Sequence, residues 1–202
     1  MSILRLLVAT TNPGKLGEIR RILAGAPVEL VSLSVMRDLA EPHETGATFD
    51  ENARLKARHY STASGLMAVA EDSGLEIDAL GGDPGVRSAR YGGPDATYPE
   101  KFRLIFRRLD ARGVAKAPAR FVCALAVARG GEIVFETRGV VEGRITRSPR
   151  GTGGFGYDPI FYYPPRGRTL AELSPEEKAS VSHRGQAFRA LGDWLRSLDT
   201  GR

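Results

Sequence analysis

The chain has 202 residues, 42% of them hydrophobic and 26% charged, with a formal charge of +5. This composition belongs to a globular protein of one large domain or two packed lobes, and it excludes low-complexity, collagenous and membrane-spanning chains. The charge suits polyanionic ligands such as nucleotides but is too mild to imply nucleic acid.

In chain order, residues 3–9, "ILRLLVA", predict a strand. "NPGKLGEIRRIL" follows with Leu16, Ile19, Ile22 and Leu23 at helical spacing and Pro13 at the first turn. "VELVSL" predicts a second strand. Thr48 and Glu51 form a capping box that opens a helix to about Ser64. "LMAVAE" predicts a buried strand, interrupted by the turn-former Asp72-Ser73-Gly74 and resumed in "LEIDAL". "YPEKFRLIFRRLDARG" is an amphipathic helix with a glycine stop.

"ARFVCALAVA" and "EIVFETRGVVEGRI" flank Arg129-Gly130-Gly131, a hairpin signal. "DPIFYYP" predicts an aromatic strand, and Ser174-Pro175-x-Glu177 another capped helix start. A last helix runs from about His183 with Ala187, Phe188, Leu191, Trp194, Leu195 and Leu198 on one face. The alternation of helices and strands around a β-rich middle predicts an α/β fold with a mixed sheet. Cys123 is the one cysteine, so no intrachain disulfide can form. Its apolar surroundings predict a buried small hydrophobe, and with no leader-like segment the chain reads as cytoplasmic.

Several stretches carry chemistry. "ATTNPGKL", residues 9–16, lacks the glycine and hydroxyl of a Walker loop. It still places Thr10, Thr11 and Asn12 at a helix N-terminus and ends in Lys15, an arrangement that suits phosphate or simple helix capping equally. Of 29 basic residues five are lysines (Lys15, Lys56, Lys101, Lys116 and Lys178), compact point charges in an arginine-rich chain. "AVAEDSGL" places Glu71 and Asp72 at a strand end. Adjacent strand residues face opposite ways, so one carboxylate enters any given site. Such groups can hold magnesium with phosphate oxygens, or orient water; Asp72 could instead make an Asx turn with Gly74. Glu44 and Glu51 are further candidate ligands, although Glu51 already has a capping role.

Gly151, Gly153 and Gly156 spell G-x-G-x-x-G in "RGTGGFGYDP", but "YDPIFYYPP" follows and opens no helix, so this is not a dinucleotide loop. His43 and His59 have no metal-ligand spacing. Ser182-His183-Arg184-Gly185 lies at a helix start, where His183 and Arg184 face either an anion or base edge, or solvent.

Five blocks in order, "ATTNPGK", "ETGATFDENARLKA", "EDSGLEIDALGGDPGVRSARY", "GTGGFGYDPIF" and "LSPEEKASVSHRGQAF", make the chain resemble the inosine triphosphate pyrophosphatase family over residues 3–198. The resemblance implies one NTP pyrophosphatase domain over residues 1–202, an elongated mixed sheet flanked by helices, with two lobes around a deep central cleft, and a homodimer. It implies Mg²⁺-dependent hydrolysis of ITP, dITP and XTP to the monophosphate and pyrophosphate, with no nucleic-acid or membrane partner. Thr10, Thr11, Asn12 and Lys15 would cradle the triphosphate, with Lys56 and Lys178 adding charge. Asp72 would be the catalytic carboxylate near the metal, Glu44 a metal ligand, and Ser73 a nucleotide contact. Phe155 would stack on the purine within the segment Phe155-Gly156-Tyr157-Asp158, and His183 and Arg184 would meet the base. One departure stands out: a second aspartate is expected where Glu71 stands, which leaves open whether Glu71 also binds metal.

Overall fold

The structure, a computed structural model, describes residues 3–36 and 39–200. The ends of the expected 1–202 domain, and Arg37 and Asp38, lie outside the described residues. β1 (Leu4–Val8), α1 (Pro13–Ile22) and β2 (Val28–Ser32) form a β-α-β unit, its strands parallel from Leu4↔Val28 to Val8↔Ser32. Asn12 caps α1, its Oδ1 accepting from the Lys15 amide at 3.1 Å, and Pro13 takes the first turn, where a missing N–H loses no helical bond. α2 (Phe49–Ser64) opens on the expected Thr48–Glu51 box and closes on Gly65 in the left-handed conformation. β3 (Met67–Ile77) joins the other edge of β1 in parallel, Leu6 opposite Met67.

α3 (Tyr98–Asp110) precedes β4 (Ala117–Arg129) and β5 (Glu132–Ile145), which are joined through Gly130-Gly131 as the hairpin signal predicts. β6 (Phe161–Tyr163) pairs antiparallel with β5, and β7 (Arg168–Thr169) antiparallel with β6. The result is one seven-stranded mixed sheet in the order β2-β1-β3-β4-β5-β6-β7, with helices that include α4 (Pro175–Val181) and α5 (His183–Thr200), the expected α/β class.

The expected turn at Asp72-Ser73-Gly74 does not form. β3 runs through it unbroken, and Gly74 is not among the left-handed glycines. β3 is an interior strand with a hydrogen-bonded neighbour on each side, and that pairing outweighs the local turn preference. Leu198, expected on the buried face of α5, is exposed instead.

Among the described residues the chain falls into two compact units. One takes the chain up to Asp72, Cys123–Gly139 and the chain from His183 onward; the other takes Ser73–Val122 and Val140–Ser182. The first core packs Leu6 and Val8 of β1, Met67 and Val69 of β3 and Cys123, Leu125 and Val127 of β4 with Ile19 of α1 and Ala187, Phe188, Leu191 and Leu195 of α5. Leu7, between Leu6 and Val8, is fully buried too, so β1 is covered on both faces, as parallel strands are. The second core gathers Phe102, Ile105 and Leu109 of α3 with Phe121, Val141, Ile145, Tyr157 and Phe161.

Candidate active site

Alternation along β3 sets the first group of candidate residues. Met67 and Val69 share a core with α5, and Glu71, two residues on, continues that face. There it meets Arg184, whose Nε and Nη2 donate to Glu71 Oε1 at 3.1 and 2.9 Å. Lys15 Nζ stands 3.1 Å from the same oxygen. The Cys123 thiol donates to Oε2 at 3.6 Å, and Arg184 Nη1 donates to Glu18 at 2.7 Å. Asp72 points the other way and meets α2. Asn52 Nδ2 donates to its Oδ2 at 3.1 Å; Lys56 Nζ donates to its Oδ1 at 3.2 Å and to Glu44 Oε1 at 2.6 Å. Asn52 and Lys56 are four residues apart, one above the other on one helix face. Asn52 also accepts the Gly46 amide at 2.8 Å, which ties down the segment carrying Glu44. A Cβ on Gly46 would lie 2.6 Å from Asn52 Oδ1, so glycine is required there.

Lys56, Glu71, Asp72 and Arg184 are all buried. Burial, and next the negative charge of Glu44, raise the Asp72 carboxyl above its usual range against the pull of Lys56, Asn52 and Lys15. Burial pulls the Lys56 ammonium down, but Asp72 and Glu44 outweigh it, so the group is held above its ordinary value and charged. Arg184 behaves likewise, with Glu71 and Glu18 overcoming its burial. Burial, with Glu71 beside it, pushes the Cys123 thiol up. Thr10 Oγ1 accepts the Asn12 amide at 3.2 Å, so the phosphate-loop candidate is an ordered turn, with Thr11 and Asn12 exposed.

The second unit holds the other group of expected residues. Lys178 Nζ donates to Asp158 Oδ2 and lies 4.7 Å over the centre of the Phe155 ring. The Phe155 amide donates to the same Asp158 oxygen at 2.8 Å. Asp158 and Lys178 are 2% and 5% exposed, whereas Phe155 is only half-buried. Tyr157 turns inward: its hydroxyl, raised by burial, donates to the Ser88 carbonyl at 2.9 Å, and Tyr98 meets its ring edge-on at 5.3 Å. The loop glycines serve this loop's own packing. Gly154 has φ +66°, and a Cβ there would sit 2.1 Å from Asp158 Oδ2; at Gly151, φ +79°, it would sit 2.4 Å from the Ala171 backbone. After Gly156 comes a short 3-10 turn, Asp158–Ile160, and then β6, not the long helix that a dinucleotide loop needs.

The five sequence blocks are therefore gathered into two constellations, one around Glu71 and Asp72 and one around Asp158 and Lys178. Residues 6–194 match the model of the Ham1 family. The chain belongs to the Ham1 family. Relatives include the dITP/XTP pyrophosphatase of Geobacillus kaustophilus, 44% identical over 98% of this chain and 97% of that one. That of Escherichia coli O157:H7 is 46% identical over 96% and 98%, and that of Thermus thermophilus 48% over 93% and 90%. Two solved Ham1 proteins share the fold. The one from Coxiella burnetii has TM-score 0.89 and 41% identity over 96% of this chain and 99% of that one. The one from Staphylococcus aureus has TM-score 0.84 and 34% identity over 96% and 98%.

Within this Ham1 frame some partners were not evident from the sequence. Asn52 sits in "FDENARLKA", where its spacing to Lys56 was the available signal. Glu18 is one helical turn beyond Lys15, but nothing local tells that it meets Arg184. Gly139 lets β5 approach the start of α5, since a Cβ there would lie 2.0 Å from the His183 carbonyl oxygen. Glu51, a candidate ligand by sequence, instead accepts the Ala47 and Thr48 amides at 2.7 and 3.1 Å.

Proposed function

We propose that this chain is a Mg²⁺-dependent nucleoside triphosphate pyrophosphatase that converts ITP, dITP and XTP to the monophosphate and pyrophosphate. The observation that carries the reading is the constellation Asp72–Lys56–Glu44 at the middle of β3, with Asp72 and Lys56 buried and Glu44 half-buried, in a chain whose Ham1 relatives bear the name dITP/XTP pyrophosphatase. Asp72 accepts the proton of the water that attacks the α-phosphorus, and its raised pKa moves it toward the range in which a general base is effective. Lys15 and Lys56 balance charge on the phosphates, and the turn Thr10–Asn12 offers hydroxyls and amides.

The donor set fits Mg²⁺. Among the described residues no cluster of three His, Cys, Asp or Glu is assembled, but magnesium binds through one or two carboxylates together with substrate phosphates. Glu44 and Asp72, gathered on one ammonium, would hold it; when bound it neutralises charge on the phosphate oxygens. Glu71 already accepts from Arg184, Lys15 and Cys123 and acts as a brace instead of a ligand.

Phe155 stacks on the purine, braced through Asp158 and Lys178. Selection of a 6-oxo purine needs donors aimed at that oxygen; an adenine amine would leave each unpaired at about 1–3 kcal/mol. Arg184 is engaged by Glu71 and Glu18, so its part in reading the base is to set the start of α5, where His183 lies. The enzyme works as a homodimer in the cytoplasm. Among the described residues no helix is long and apolar enough to cross a membrane.

The test is a parallel assay of ITP, XTP, dITP, GTP and ATP with Mg²⁺, scoring pyrophosphate against orthophosphate. Pyrophosphate from the first three, with little turnover of GTP or ATP, is the expected result. Orthophosphate alone, or equal rates on ATP, overturns the reading.

A further inference from the structure

The second unit carries a cluster of cations that the proposed reaction does not use. Lys116, Arg144, Thr146, Arg147, Arg150 and Tyr162 line a cavity of ≈ 450 Å³. Arg144 stands opposite Tyr162 in the β5–β6 pairing, so both side chains lie on one face of the sheet. The Arg144 guanidinium lies 4.5 Å over the Tyr162 ring centre and that of Arg150 lies 5.6 Å from it. Arg147 is fixed from behind: it donates to the Phe106 and Val114 carbonyls at 3.0 and 2.9 Å and pairs with Asp110 at 2.8 Å. Arg150 has Glu172 at 3.7 Å. Arg144 and Lys116 have no carboxylate partner among the described residues. Four cations thus face two carboxylates, and two positive charges are left without a counter-charge.

Lys116, Arg144 and Arg150 are exposed, so water screens part of their mutual repulsion; an anion in the hollow would relieve the rest, and guanidinium forks match phosphate oxygens in geometry. We propose that this cavity is a binding site for a small phosphoanion, orthophosphate or pyrophosphate. Its volume lies in the range of small-molecule sites. A nucleic-acid track would offer free aromatic faces for bases, whereas the Tyr162 ring already packs against two guanidinium groups. The site shares no residue with either constellation described above and does not depend on the pyrophosphatase reading.

The experiment is a titration of the ¹⁵N-labelled full chain with orthophosphate and, separately, pyrophosphate at constant ionic strength, following the amides of Lys116, Arg144, Thr146 and Arg147. Saturable shifts are expected, weakened by about tenfold or more in Arg144→Gln/Arg150→Gln. The conservative pair Arg144→Lys/Arg150→Lys keeps the charge and retains part of the affinity, and dITP turnover is unchanged in both. Should the double variant fail to fold, Lys116→Gln, at an exposed position, gives a smaller loss in the same direction. Equal responses to the two anions assign a seat for one phosphate and a stronger response to pyrophosphate a seat for two; either supports the proposal. No saturable shift with either anion, shifts undiminished by the glutamine variants, or a response confined to a single-stranded oligonucleotide overturns it.

Discussion

Arg184 places Nε and Nη2 on one oxygen of Glu71, at 3.1 and 2.9 Å, with both side chains only 2% exposed. The pair joins β3 to the start of α5 across 113 positions of sequence. A guanidinium this deeply buried depends on its carboxylates, so removing one partner does more harm than the pair does good.

Glu71→Ala is therefore expected to destabilise the fold by about 3–5 kcal/mol, the scale for a buried charge left short of its partner. Glu71→Asp, the residue the family resemblance leads one to expect, keeps the charge with a shorter reach and falls between. Urea unfolding measures both; an unchanged midpoint in Glu71→Ala would show that the pair carries no structural load.

Asp72→Asn is expected to keep the fold and nucleotide binding but lower turnover by about 10²–10⁴-fold, the scale of general-base loss. The variant keeps one oxygen for Lys56, which also donates to Glu44, and gives up only the acceptor of the Asn52 amide. Steady-state assay on dITP decides the matter, and near-normal turnover in the variant would sink the assignment.

Removal of divalent metal is expected to abolish turnover while shifting the melting temperature by no more than about 2 °C in the absence of nucleotide. The reason is local. Lys56 already bridges Glu44 and Asp72, so these carboxylates have a counter-charge without the ion. Calorimetry with and without chelator tests this; a large drop would mean that the carboxylates need metal to stay together.

Phe155→Ala is expected to raise KM for dITP with little change in stability, because the ring is half-buried and base–aromatic stacking is worth about 1–3 kcal/mol. A fall in kcat at unchanged KM would assign Phe155 some role other than holding the base in ground and transition states alike.

Much of the fold could be read locally. The Thr48–Glu51 and Ser174–Glu177 boxes, Pro13 at a first turn and the Gly130-Gly131 hairpin all stand where the residues place them. These signals act within a few residues, so no distant partner can hide them. The turn expected at Asp72-Ser73-Gly74 was a failure of the same local logic. A central strand takes its conformation from its neighbours on both sides, and they are far away in sequence.

The sequence by itself determined the α/β class, the alternation that sends Glu71 and Asp72 to opposite faces, and the choice of the site's residue types. It could not say which helix each carboxylate meets. Only the tertiary structure decided that Asp72 faces Asn52 and Lys56 of α2 while Glu71 faces Arg184 of α5, and that Tyr157 turns into the core. It also decided that the glycines of "RGTGGFGYDP" make room for Asp158 and the Ala171 backbone. Strand parity is a property of the chain; the identity of the partner across a face depends on how elements pack, and packing is settled by the burial of whole cores and not by any one segment.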